Sequence, residues 1–125
     1  MLTALLASLA LSGAAHAEAA PEIKLRDLSN QERTLSAEQG KVVLVNFWAT
    51  WCAPCMVEMP HIQQMYEELA DINGDGTLEF EVLSISIDDA RDRSKIKPLV
   101  KSKGLTFPVL WDQNKKVSQV YNPSG

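Results

Sequence analysis

The feature that most constrains this sequence is a pair of cysteines separated by two residues, Cys52 and Cys55, and the chain contains no others. The pair stands between an apolar, β-prone run, residues 41–48, and a segment whose apolar residues recur every three or four positions. These residues share one face of a predicted helix that runs to about Ala70: Met56, Met59, Ile62, Met65, Tyr66 and Leu69. A strand that leads into a helix through the cysteines places Cys52 at the N-terminus of that helix.

A helix N-terminus is a position at which a cysteine pair becomes reactive. Free amide donors and the helix dipole stabilise a thiolate there, and the thiolate is the species that takes part in disulfide exchange. One helical turn also brings the two sulfur atoms within bonding distance. The sequence therefore predicts a redox pair in which Cys52 attacks or is attacked, Cys55 resolves the mixed disulfide, and Pro54 stiffens the loop between them.

Two other interpretations of the cysteine pair stay open. One is a buried thiol pair, and the other is half of a metal site. Zinc normally takes four ligands, and beyond the cysteines the chain after residue 17 offers only His61 and no second pair of this kind. The alternative to an enzyme is therefore a module that binds copper or zinc through both cysteines without redox turnover.

Strands and helices alternate along the sequence. Alternating apolar and polar residues at 23–28 predict a strand that returns as a second one at 32–35, after a turn. The later predicted elements are a buried strand at 80–87, a helix at 91–103 that ends before Gly104, a short strand at 107–111 and a helix at 115–121. This order predicts an α/β fold with a parallel-rich sheet, flanking helices and an N-terminal β-hairpin. Residues 41–48 are expected to form a central strand that is covered on both faces.

The N-terminus has the pattern of an export signal. Residues 2–11 are almost entirely apolar, and the small residues Ala15 and Ala17 fit the site that signal peptidase cleaves. We predict a signal peptide over residues 1–17, one domain over residues 18–125, and localisation in the periplasm or a similar oxidising compartment. No Lys or Arg precedes the apolar run, and a buried or disordered N-terminal helix is the alternative.

The charge of the chain argues against one broad class of function. The 125 residues carry a formal net charge of −4, whereas nucleic-acid binders normally present a basic face. The basic residues are scattered apart from a small cluster at 91–103, a pattern typical of a solvated helix face. We therefore expect protein partners and no nucleic acid.

Residues 43–60, VLVNFWATWCAPCMVEMP, resemble the thioredoxin superfamily and most of all its TlpA/ResA branch of exported reductases. The predicted hairpin and the later segment FPVLWD agree with that branch, so the resemblance covers most of residues 20–125. It implies a thioredoxin-like thiol-disulfide oxidoreductase that reduces disulfides of exported proteins, as some members do in cytochrome c maturation. It also implies a membrane electron donor and no bound organic cofactor, and we expect a monomer.

The resemblance implies roles for single residues. Cys52 is similar to the nucleophile, Cys55 to the resolving thiol, and Trp51 to the residue that covers the disulfide. Pro60 is similar to a proline that kinks the helix. The residues that support the site or its substrate groove are Trp51, Pro54, Trp48 and Asn46, the last standing where ordinary thioredoxins have a buried aspartate.

Glu58 is similar to an acid that lies near the active site in the TlpA/ResA branch. A buried carboxylate has a raised pKa and can exchange protons with the resolving thiol near neutral pH. Because residues three apart share one side of a helix, Glu58 is predicted to face Cys55. The alternative is a solvated acid of the helix surface.

A peroxidase of the peroxiredoxin type is a rival interpretation of the same segment. That chemistry requires a threonine three residues before the reactive cysteine, where this chain has Ala49. The nearest threonine, Thr50, stands two residues before Cys52 and is therefore one position too close to the cysteine. We therefore expect disulfide exchange and not peroxide reduction.

The resemblance predicts that this chain lacks the last part of the fold. Members carry a cis-proline loop that faces the cysteine pair, then a hairpin and a closing helix, and residues 121–125 stand where that loop should begin. Such a fragment would expose an unpaired sheet edge, and its activity would be in doubt. The alternative takes Phe107-Pro108 as the loop, with residues 109–112 and 116–120 as the hairpin.

Residues 71–82 have the spacing of a calcium-binding loop. Oxygen-bearing side chains fall at alternate positions: Asp71, Asn73, Asp75 and Thr77. The bidentate glutamate of such loops is missing, because Val82 stands at its position and a strand, not a helix, is predicted to follow. A polar turn that uses the Asn-Gly and Asp-Gly preferences is the alternative.

Overall fold

The computed structural model describes residues 18–72, 74–77 and 79–124, and the predicted signal peptide lies outside them. The regular elements are β1 (Lys24–Asp27), β2 (Glu32–Thr34), a short 3-10 helix (Ser36–Glu38), β3 (Val42–Trp48), α1 (Ala53–Leu69), β4 (Phe80–Ser86), α2 (Arg93–Ser102), β5 (Val109–Trp111) and α3 (Lys116–Tyr121). Each predicted strand and helix is present, with ends within about two residues of the expected positions. Within the described ranges, no helix has the length and apolar character needed to cross a membrane.

The five strands form one mixed sheet in the order β2-β1-β5-β4-β3. Strands β3, β4 and β5 are parallel, while β1 is antiparallel to both β2 and β5. Parallel neighbours need long crossover connections, and α1 and α2 lie in those connections. The predicted α/β class, parallel-rich sheet and N-terminal hairpin are therefore confirmed.

β3 lies at an edge of the sheet among the described strands, so its predicted central position is wrong. Its faces are nevertheless covered, because Leu44 and Trp48 pack in one apolar cluster while Val43, Val45 and Phe47 pack in another. A continuous apolar run indicates that both faces of a strand are covered. It does not indicate that both edges of the strand are hydrogen-bonded to other strands. The strand buried at every position is β4.

The apolar core forms two layers, one on each face of the sheet, because successive strand residues point to opposite faces. Val82 of β4 lies in the first layer, and its neighbour Leu83 lies in the second. The first layer includes Met59 of α1 and Ile96 of α2, whereas Tyr121 of α3 packs against the second. The first layer anchors α1, and with it the cysteines, on the sheet.

Local signals account for the ends of the helices. Cys52 is the N-cap of α1 with an extended backbone, and Pro54 lies in the first turn, where its missing amide costs nothing. Pro60 lies inside α1, and the kink expected there stays a prediction. Gly104 follows α2 with φ of +64°, a left-handed conformation that glycine adopts without strain, so the predicted helix stop is confirmed.

The segment around Phe107-Pro108 belongs to the parallel part of the sheet. β5 runs parallel to β4, and the carbonyl of Pro108 accepts a hydrogen bond from the amide of Ser84 at 3.1 Å. Residues 116–120 lie in α3 and not in a strand. The alternative that treats Phe107-Pro108 as the loop facing the cysteines is therefore wrong.

Candidate active site

The two cysteines form a disulfide at the start of α1, just beyond the carboxyl end of β3. Their Sγ atoms are 2.09 Å apart and their Cα atoms 5.3 Å apart. The amide of Cys52 donates to the carbonyl of Ala49 at 3.0 Å, so a tight turn joins the strand to the helix. Both cysteines are half-buried. The free amides and the dipole of α1 therefore act on a sulfur pair that solvent can still reach.

Exposed apolar residues adjoin the cysteines along the chain. Trp51 is 64% exposed and Val57 is 71% exposed, and Ala53 and Pro54 are exposed as well. Burial of a tryptophan stabilises a fold strongly, so an exposed one beside a reactive group points to a contact surface. The role of Trp51 as a cover for the disulfide stays a prediction.

Glu58 lies on α1, one turn beyond Cys55, and its side chain is exposed. The expectation that this carboxylate is buried is therefore wrong. The helical spacing of three still places both residues on one side of α1. What the spacing could not show is whether another element covers that side.

Three buried polar atoms lie under the helix of the cysteines without hydrogen-bond partners. They are Oδ1 of Asn46 and Nε1 of Trp48 on β3, and Oγ of Ser84 on β4. Asn46 and Ser84 are register partners, and alternation along the strand places Asn46 on the same face as Trp48. A buried polar atom without a partner costs about 1–3 kcal/mol. Two of the support positions named from the sequence, Asn46 and Trp48, thus form a polar strip with Ser84 on the face of the sheet that carries the first core layer.

A buried carboxylate that the sequence analysis missed stands beside the cysteine turn. Asp88 follows β4 and is 0% exposed. Its Oδ1 accepts hydrogen bonds from Oγ1 of Thr50 at 2.6 Å and from the amide of Thr50 at 3.1 Å. Its Oδ2 accepts one from Oγ of Ser86 at 2.6 Å. A signal for this site existed, because the carboxyl ends of parallel strands meet at one edge of a sheet, and Asp88 and Thr50 each follow such an end.

The serines of β4 lead to opposite predictions. Ser84→Ala removes a buried hydroxyl that has no partner, so we expect the free energy of unfolding to stay unchanged or rise by up to about 1 kcal/mol. Ser86→Ala removes a donor to the buried carboxylate of Asp88, so we expect a loss of about 1–3 kcal/mol. Urea unfolding of both variants measures the difference. A larger loss for Ser84→Ala than for Ser86→Ala would contradict this account.

The loop with the calcium-like spacing is held by its own hydrogen bonds. Oδ1 of Asp71 accepts one from the amide of Gly76 at 3.2 Å, and Oδ1 of Asp75 accepts one from the amide of Thr77 at 2.9 Å. The side-chain hydrogen bond from Thr77 lowers the pKa of Asp75. Asn73 lies outside the described residues, and over the residues that are described no three metal-ligating side chains cluster. Calcium binding stays a prediction, and a polar turn accounts for the contacts.

Comparison with known sequences identifies a family and similar proteins. The model of the AhpC/TSA family matches residues 17–124. The thioredoxin-like protein YneN of Bacillus subtilis is 34% identical over 111 residues, which are 88% of this chain and 61% of YneN. The thiol-disulfide oxidoreductase ResA of Oceanobacillus iheyensis is 35% identical over 108 residues, which are 83% of this chain and 52% of ResA. The chain thus spans little more than half the length of these relatives.

Solved structures agree with the sequence matches. The thioredoxin domain of a thiol-disulfide oxidoreductase from Bacteroides vulgatus superposes with a TM-score of 0.73 at 26% identity. The match covers 86% of this chain and 74% of that domain. A thiol:disulfide interchange protein from a Bacteroides species superposes with a TM-score of 0.71 at 27% identity, over 85% of this chain and 66% of that one. The predicted thioredoxin-like fold is therefore confirmed.

Proposed function

Because this chain belongs to the AhpC/TSA family and has a thioredoxin-like fold, we propose that it is a thiol-disulfide oxidoreductase with Cys52 and Cys55 as its redox pair. The observation that carries the proposal is the disulfide at the N-terminus of α1. A pair in this position has a stabilised thiolate when it is reduced and forms a disulfide when it is oxidised. The relative named as a thiol-disulfide oxidoreductase supports the same chemistry.

In the reducing direction the exchange takes two balanced steps. The thiolate of Cys52 attacks one sulfur of a substrate disulfide, breaks that bond and releases a substrate thiolate, which takes up a proton. Cys55 loses its proton and attacks the sulfur of Cys52, which breaks the mixed disulfide and releases the second substrate thiolate. Two electrons have then passed to the substrate, and a donor dithiol must reduce the chain again.

The surface beside the disulfide suits a protein substrate. Trp51 and Val57 are largely exposed, and both belong to the segment that carries the cysteines. An apolar rim of this kind buries side chains of an extended peptide whose disulfide approaches Cys52. Small thiols such as glutathione would use little of this surface.

Glu58 completes the proposal as the group that takes the proton of Cys55 during resolution. Its helical spacing from Cys55 supports this role, and its side chain is exposed to solvent. Glu58→Gln should then slow resolution mainly below neutral pH, where the thiol of Cys55 is protonated. An unchanged pH profile of the resolving step would assign Glu58 to the solvated surface.

The setting of the reaction is also part of the proposal. The apolar pattern of residues 1–17 supports export, which would make exported proteins the substrates. The resemblance to the TlpA/ResA branch supports the reducing direction, a membrane electron donor and a role in cytochrome c maturation, and the relative named ResA belongs to that branch. We take the chain to act as a monomer.

The reduction potential of the pair tests the proposal. We expect a reversible two-electron transition when the chain is equilibrated in glutathione or dithiothreitol buffers, at a potential near or below about −200 mV for a reductase. A much higher potential would assign the chain to disulfide formation instead. A folded chain with no transition would contradict the proposal, and retained copper or zinc in that case would support the metal-binding module.

A further inference from the structure

A buried carboxylate near the cysteine turn has no role in the proposed exchange. The carboxylate of Asp88 is fully buried, and the ion pairs found between described residues do not include it. Three groups donate to it: the amide of Thr50, the hydroxyl of Thr50 and the hydroxyl of Ser86. Burial of a carboxylate is costly unless such donors surround it. An apolar side chain would fill this place in the core at a lower cost in free energy.

We propose that Asp88 is a positioning residue for the reaction of Cys52, which it influences by holding Thr50 in the turn that leads to the cysteine. The inference rests on the proposed function, because it concerns the nucleophile of that exchange. The Asp88 carboxylate accepts hydrogen bonds from Thr50 and Ser86, and it acts on Cys52 through Thr50.

The path from Asp88 to Cys52 is short. Two residues of extended chain span at most about 7 Å, so the anchored Thr50 lies within that distance of Cys52 between Cα atoms. The turn between them is closed by the hydrogen bond from the amide of Cys52 to the carbonyl of Ala49. A displacement of Thr50 is therefore passed on to the cysteine, with only Trp51 between them.

Asp88 and the residue before it, Ile87, are held by the two neighbouring strands. Nε1 of Trp111 donates to the carbonyl of Asp88 at 2.8 Å from the β5 side. The amide of Ile87 donates to the carbonyl of Trp48 at 2.8 Å on the β3 side. A rigid anchor is what a positioning residue requires, because small displacements of a reacting group reduce the rate of reaction strongly.

The buried charge has a second consequence that a purely structural residue would not have. The reactive form of reduced Cys52 is a thiolate, whereas the disulfide is uncharged. A negative charge held near the turn by Thr50 therefore disfavours the reduced state relative to the disulfide. Asp88 thus makes the pair a stronger reductant.

Substitutions at both ends of the contact test the inference. Thr50→Val keeps the shape and the amide but removes the hydroxyl donor, and Thr50→Ser restores that donor. We expect the rate constant for reaction of the reduced chain with oxidised glutathione to fall about tenfold in Asp88→Asn and in Thr50→Val, and by less than about twofold in Thr50→Ser. Asp88→Asn should also shift the equilibrium with glutathione about tenfold towards the dithiol, equivalent to about 30 mV for two electrons.

A matched variant far from the cysteine turn separates positioning from stability. Gln63 is buried and exchanges hydrogen bonds with Thr106, so Gln63→Ala destabilises the fold without touching the turn. Its exchange rate and redox equilibrium should equal those of the parent chain. The inference is overturned if folded Thr50→Val reacts at the parent rate, or if Gln63→Ala slows the reaction equally. A parent chain that does not react would instead reject the proposed function.

Discussion

Cys52→Ser is expected to abolish thiol-disulfide exchange, with a loss on the order of 10³-fold or more, because the proposed mechanism opens the substrate disulfide with the thiolate of Cys52. Cys55 does not replace it. Cys55 lies inside the first turn of α1, whereas Cys52 is the N-cap and receives the full effect of the free amides. Reduction of a disulfide-bonded peptide, followed by release of its thiols, measures the loss.

Cys55→Ser is expected to stop the same reaction one step later. Cys52 still attacks, but no thiol is left to break the mixed disulfide, so the substrate stays attached to the protein. Mass spectrometry of the non-reduced product should show one substrate thiol per chain. The two roles would be reversed if Cys52→Ser accumulated the adduct and Cys55→Ser did not.

The second large effect concerns the stability of the sheet that carries the site. Ile85 of β4 is 0% exposed and lies in the second core layer. Ile85→Ala leaves a cavity where β4 is buried at every position, and we expect the free energy of unfolding to fall by about 2–5 kcal/mol. Denaturant unfolding measures this loss, and for a domain of this size a two-state analysis is appropriate.

Ile72→Ala is the matched control, because the same side chain is removed from a position that is 62% exposed. We expect a change within about 0.5 kcal/mol. Losses of equal size at both positions would mean that burial on the two faces of β4 does not dominate the stability of this chain. Ile85 packs on the opposite face of the sheet from Cys55, and Ile72 lies in the loop after α1, so the exchange rate of the folded variants should not change.

The elements of the fold could be predicted because their signals are local. Apolar periodicity of 3.6 marked α1, continuous β-prone runs marked β3 and β4, and Gly104 marked the end of α2. The cysteine pair was predictable for the same reason, since the residues on either side of it indicate a strand before it and a helix after it. These parts of the site could be predicted without knowledge of contacts between distant residues.

The errors arose where distant parts of the chain decide the outcome. The apolar composition of β3 showed that its faces are covered, but its place at the sheet edge depends on which strands pair with it. The spacing of Glu58 from Cys55 was a local fact, while its exposure depends on what packs over that side of α1. Composition cannot report either property.

The sequence by itself determined the order of the elements and the position of the cysteine pair between a strand and a helix, because each follows from residues close together in the chain. Only the tertiary structure decided that Asp88 meets Thr50, which lies 38 positions away in the chain. That contact exists because β3 and β4 pair in parallel with Trp48 opposite Ser86, so the residues beyond both strand ends arrive at the same place. Pairing register is a property of two segments together, and neither segment specifies it alone.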